Sequence, residues 1–124
     1  VRSAFDYAIV RVVPRVEREE FINAGVILFC DARAYLEARI ALDEARLLAL
    51  SRGARGVDLD LVRQHLAAIP LVCQGAGPIG QLPLRERWHW LTAPRSTIVQ
   101  VSSAHAGLTD APEEALVRLM STYC

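Results

Sequence analysis

The sequence predicts an α+β fold, a mainly antiparallel sheet of about four strands packed with about four helices. Three observations predict it. The longest apolar run, within residues 20–30, has the length and composition of a buried strand. A turn-forming Asp31-Ala32-Arg33-Ala34 follows, then strict apolar–polar alternation over 35–42, so the two runs read as a hairpin. Beyond it the apolar period changes from two to about 3.6, as at Leu59, Val62, Leu66 and Ile69. At 124 residues the chain is expected to form a single compact domain over 1–124, able to bury a core without a disulfide or metal staple.

Residues 5–13 read as an amino-terminal strand. Phe5, Tyr7 and Ile9 interleave with Ala8, Val10 and Val12, so both faces are expected to be covered, and Arg11 interrupts the first set. Pro14, lacking an N–H, stops the ladder. Residues 14–20 form a charged connection. The central strand holds two residues that a plain core strand would not choose, Asn23 and Gly25. The glycine signals close approach of a helix or another backbone. In the strand over 35–42, Leu36, Ala38, Ile40 and Leu42 share one face, and Tyr35, Glu37, Arg39 and Ala41 the wetter one.

Asp43 is placed to cap a helix through about Ser51, with Leu47, Leu48 and Leu50 as its apolar side and Arg52-Gly53-Ala54-Arg55-Gly56 as its stop. Asp58 caps a second helix, which Pro70 is expected to close or bend, and His65 falls on its solvated side. The glycine cluster over 74–80 lacks the preceding strand and the Lys-Ser/Thr pair of a phosphate cradle, and reads as a flexible loop. Leu84, Trp88 and Leu91 mark a third helix, with Trp88 in the core and Trp90 on an interface or cleft wall. β-Branched residues over 95–101 predict a late return strand, followed by a loop over 102–108. Asp110 with Glu113 resembles a capping box, Pro112 suits a first turn, and Leu116, Leu119, Met120 and Tyr123 give the last helix its stripe.

Charge narrows the function. Fourteen basic residues balance fourteen acidic ones, which weighs against nucleic-acid binding. All the basic residues are arginine, as a GC-rich genome would produce. Cys30, Cys73 and Cys124 are odd in number and widely spaced, so neither a disulfide framework nor a cysteine metal site is expected. No metal or other cofactor is predicted. With no signal-peptide pattern and no apolar stretch near the roughly 20 residues of a membrane span, a cytoplasmic protein is expected.

One polar constellation could carry chemistry. Arg11 and Asn23 lie on strands expected to be neighbours, Glu20 enters the central strand, Arg95 enters the return strand and His105 lies beyond its far end. If they converge, His105 is the natural acid or base, Arg11 and Arg95 clamp an anion, Asn23 orients it, and Glu20 holds His105 or an arginine. The alternative is structural: Glu20 pairs an arginine, Asn23 satisfies backbone at a strand irregularity, and His105 shapes a loop.

Tyr7-Ala8-Ile9-Val10-Arg11-Val12-Val13-Pro14 and Glu20-Phe21-Ile22-Asn23-Ala24-Gly25, with Pro94-Arg95-Ser96-Thr97-Ile98-Val99-Gln100 and His105-x-Gly107-x-Thr109-x-x-Pro112-Glu113, resemble the bacterial domain-of-unknown-function family 3037 over nearly the whole chain. The resemblance implies no activity, cofactor or catalytic residue, and suggests a HipA-like kinase as a partner. Two functions are therefore weighed. One is a non-enzymatic binding or regulatory domain acting through a protein partner or as a homodimer. The other is a small enzyme or anion-binding domain built on Arg11, Glu20, Asn23, Arg95 and His105.

Overall fold

The structure, a computed structural model, describes residues 1–14, 20–51, 57–95 and 97–124. Its centre is β1 (Ser3–Val12), the longest strand of the described residues and, with its neighbour β2, buried on both faces. Antiparallel to it, β2 (Ile22–Cys30) lies on one side, and β3 (Tyr35–Ile40) continues the hairpin outward. On the other side β1 pairs with β4 (Val99–Val101) and then with β5 (His105–Thr109). The expected α+β class and antiparallel sheet are observed, with order β3-β2-β1-β4 and β5 beside the start of β1.

The fifth strand corrects the loop expected over 102–108. Val99–Val101 face Val12–Val10 and His105–Thr109 face Tyr7–Ser3, registers that differ by a single residue. The return strand thus continues through a one-residue bulge. Buried Ser102 makes this feasible: its N–H donates to Ile9 O at 2.9 Å, and its Oγ accepts from Ile9 N at 2.8 Å. A second one-residue offset lies between β1 and β2, where Val10 faces Gly25 but Arg11 faces Asn23. Gly25 needs its hydrogen because a Cβ there would strike the backbone carbonyl of Arg39 on β3, the close backbone approach expected of it.

Helices cover both faces. On one, α1 (Glu44–Leu50), α2 (Leu59–Cys73) and α4 (Leu84–Thr92) bury a large cluster that includes Val10, Val12, Ile27, Phe29, Leu47, Leu66, Trp88 and Leu91. Phe29 and Trp88 stack at 5.7 Å. On the other, α5 (Pro112–Tyr123) buries a smaller cluster of Phe5, Ile9, Val26, Leu28, Cys30, Ala115 and Leu116. Asp43 and Asp58 cap α1 and α2 as expected, accepting from Arg46 N at 3.0 Å and Leu61 N at 3.1 Å.

Three local expectations are corrected. Of the two outcomes expected at Pro70, closing α2 is not observed: the helix runs on to Cys73, with Ile69 and Cys73 buried in its last turn despite the missing donor. The glycine cluster is a closed turn leading into the single helical turn α3 (Gly77–Gly80). Gly75 and Gly77 take positive φ, and Gln81 Nε2 and Arg87 tie this corner to Gly75 O, Leu82 O and Cys73 O at 2.9 Å. Asp110 does not cap α5; Ala111 occupies that position, and Pro112 begins the helix. The stop expected over 52–56, most of the connection over 14–20, and Ser96 lie outside the described residues. Among the described residues no helix is long and apolar enough to cross a membrane.

Candidate functional site

The sheet divides the predicted constellation. Arg11 and Asn23 are direct cross-strand partners, as expected, on the α5 face. Asn23 Nδ2 donates to the carbonyl of Tyr123 at 3.1 Å, closing the carboxyl end of α5. The Arg11 guanidinium lies 4.2 Å from the centre of the Phe21 ring. His105 stands opposite Tyr7, with ring centres 5.3 Å apart, and the Tyr7 and Tyr123 hydroxyls are 3.3 Å apart. Contacts therefore link His105, Tyr7, Tyr123 and Asn23 in one row, with Arg11 alongside. Glu20 is half-buried just ahead of β2. Two buried atoms in this row, Arg11 Nε and Asn23 Oδ1, have no hydrogen-bond partner among the described residues.

Two groups nearby, the Tyr7 hydroxyl and the Cys124 thiol, favour their neutral forms. The hydrogen bond to Tyr123 and then burial raise the Tyr7 hydroxyl above the usual tyrosine range. Burial raises the Cys124 thiol. Neither group is prepared as a nucleophile, which needs a lowered pKa or an adjacent base.

Arg95 lies on the opposite face. Its Nη1 and Nη2 donate to the carbonyls of Leu91 at 3.2 Å and Trp90 at 2.7 Å, and its guanidinium stacks 4.5 Å from the Trp90 ring centre. It cannot join Arg11 at one anion. It instead forms the rim of an open cleft of ≈ 320 Å³, walled by α2 through Ile69 and Val72, by Leu91 and Trp90 of α4, and by Val99 and Val101 of β4. His65 and Thr97 also line it. Trp90 thus takes the cleft-wall position read for it from sequence, while His65, exposed as expected, faces a space that the helical pattern could not reveal.

The backbone beside this cleft alternates in direction, and Val99 is itself buried. Val13 N donates to Ile98 O at 2.7 Å and Ser102 N to Ile9 O at 2.9 Å, so the bonds toward β1 fall on even-numbered residues of β4. Alternation in an antiparallel ladder then turns the N–H and C=O groups of Val99 and Val101 away from β1. The Val99 carbonyl accepts from Thr97 Oγ1 at 2.8 Å. β4 ends the sheet order, so among the described residues no strand lies beside the outward groups of Val101 and the Val99 N–H, and both residues line the cleft. The sequence held a partial signal for this arrangement: a β-branched strand of few residues, entered from an Arg that follows a Trp-containing helix.

Among the described residues no group of three or more His, Cys, Asp or Glu side chains is gathered as metal ligands would be. The sequence pattern of the family described as Protein of unknown function (DUF3037) matches residues 7–124, so the chain belongs to that family. No curated protein and no solved structure matches it.

Proposed function

We propose that this DUF3037 member is a non-enzymatic binding or regulatory domain that takes a strand of another protein against β4. The carrying observation is that β4 has no second strand neighbour among the described residues, while its Val99 and Val101 line an apolar cleft. Strand addition uses this combination: edge backbone groups supply affinity, and a pocket beneath receives alternate side chains. The cleft is near the lower end of ligand pockets, which span about 300–1,000 Å³, and suits one or two side chains. A HipA-like kinase and a second copy of this chain are the first partners to try.

The test is Val101→Pro. Its N–H faces away from β1, so proline removes an edge donor without breaking the ladder. Sedimentation of the chain alone, and mixed with a HipA-like kinase from the same genome, should show a complex that Val101→Pro abolishes while its melting temperature holds. A strictly monomeric chain that binds neither would sink the reading.

A second reading is an anion-binding role at Arg11, favoured by its buried Nε–H, a donor with no partner among the described residues. It requires stabilisation by inorganic phosphate or sulfate that disappears in Arg11→Met. It would use Arg11 without Arg95, and Asn23 Oδ1, an acceptor, would take no part in holding the anion.

A further inference from the structure

We infer, resting on that strand-addition reading, that the strand taken by β4 carries a large apolar side chain and, two residues away, an Asp or Glu side chain that meets Arg95. A strand laid outside β4 would lie about 4.8 Å from it, with side chains of one face separated by two residues, roughly 7 Å. Val99 and Val101 both line the cleft, so that face of the added strand points into it. Ala68, Ile69, Val72 and Leu91 make the floor and far wall apolar, which selects an apolar anchor.

The charge selection comes from the rim. Among the described residues no Asp or Glu lines the cleft, whereas Arg95 and His65 do. Arg95 is held before any partner arrives, by the Trp90 ring and two carbonyls. Those carbonyls occupy two of its donors. Guanidinium has about five, so Nε–H and one N–H on each terminal nitrogen stay free of them. A stacked, immobilised guanidinium loses little freedom on meeting a carboxylate, and the resulting hydrogen bonds are charge-assisted. An Asp or Glu directly next to the anchor would point to the opposite face. The spacing is therefore apolar-x-acidic or acidic-x-apolar.

The experiment is selection from a random peptide library displayed on phage, with the intact chain as bait. Enriched peptides should share one large apolar residue with Asp or Glu two positions away. Changing that acid to Gln in a synthetic copy should weaken binding about tenfold, the scale of one charge-assisted contact. Ala68→Trp, which fills the cleft, should abolish binding, and Arg95→Gln should erase the preference for the acid. Neutral apolar peptides that protect the Val99 and Val101 amides from exchange would overturn this inference and leave strand addition standing. Peptides that bind without protecting those amides would overturn both. Selection that follows a free C-terminus and ignores the acid, or no enrichment, would overturn the inference.

Discussion

The two faces of the sheet are finished differently. On one, a single helix, α5, seals a small cluster, and the strand surface it leaves carries Arg11, Asn23, Tyr7 and His105. On the other, three helices bury a larger cluster and still leave apolar side chains around an open cleft. The polar face looked like a site in the sequence, yet most of its groups are used on one another or on the end of α5. The apolar face looked like core apart from Trp90, yet it holds an unfilled space beside a strand with no outer neighbour among the described residues. Polar residues in a strand thus identify where a sheet meets a helix end, and the proposed partner site rests instead on a missing strand neighbour.

The sharpest way to break this comparison is to weaken each face in turn. Trp88→Ala should cost about 3–5 kcal/mol and Leu116→Ala about 2–5 kcal/mol, since both are buried and both would leave a cavity. Urea unfolding should stay a single transition in each, because β1 and β2 contribute side chains to both clusters. If Leu116→Ala leaves the midpoint unmoved, α5 is not an integral layer and the two-faced description fails.

Next in size is the bulge that carries the return strand past its register shift. Ser102→Ala removes the acceptor for the buried Ile9 N–H and should cost about 1–3 kcal/mol. A loss below ~0.5 kcal/mol in urea unfolding would mean that water or a shifted backbone replaces the hydroxyl.

That bulge also marks where the sequence stopped being legible. The hairpin, the Asp43 and Asp58 caps and the core role of Trp88 follow from periodicity and local hydrogen bonding, and all are observed. The continuation through His105–Thr109 was hidden because Ser-Ser-Ala-His breaks the alternation, and only the tertiary contact with Ile9 restores the ladder. The pairing of Arg11 with Asn23 could be read from neighbouring strands. The separation of Arg95 could not, because it depends on the path from α4 into β4. The cleft left almost no trace, since an unfilled volume is a property of packing between distant elements and not of a residue pattern.

Alkaline titration probes the cleft face again, with an effect absent at neutral pH. Burial is the main cause that pushes the Cys73 thiol from its ordinary 9.0 up to about 12, with Arg87 opposing. The folded state therefore favours the neutral thiol. The stability this supports is complete below about pH 9 and is lost as pH rises from there toward 12. The slope of stability against pH over that window should flatten in Cys73→Ala. An unchanged slope would assign the alkaline loss to other groups, such as Tyr35, whose hydroxyl is also raised mainly by burial.

The smallest change is expected at the most conspicuous polar residue of the α5 face. Arg11→Met loses the guanidinium stack on Phe21, worth about 0.5–1 kcal/mol at an accessible site. It also removes a buried Nε that has no acceptor, and an unsatisfied buried group costs about 1–3 kcal/mol. Methionine keeps much of the apolar stem. The opposing terms predict a net shift within about 1 kcal/mol in urea unfolding, of either sign, in contrast to the losses at Trp88, Leu116 and Ser102. A gain in stability together with lost phosphate binding would mean that Arg11 is kept for a ligand at a cost to the fold. A loss above ~2 kcal/mol would mean that the guanidinium has a structural partner beyond Phe21, and the α5 face would then be the more tightly built of the two.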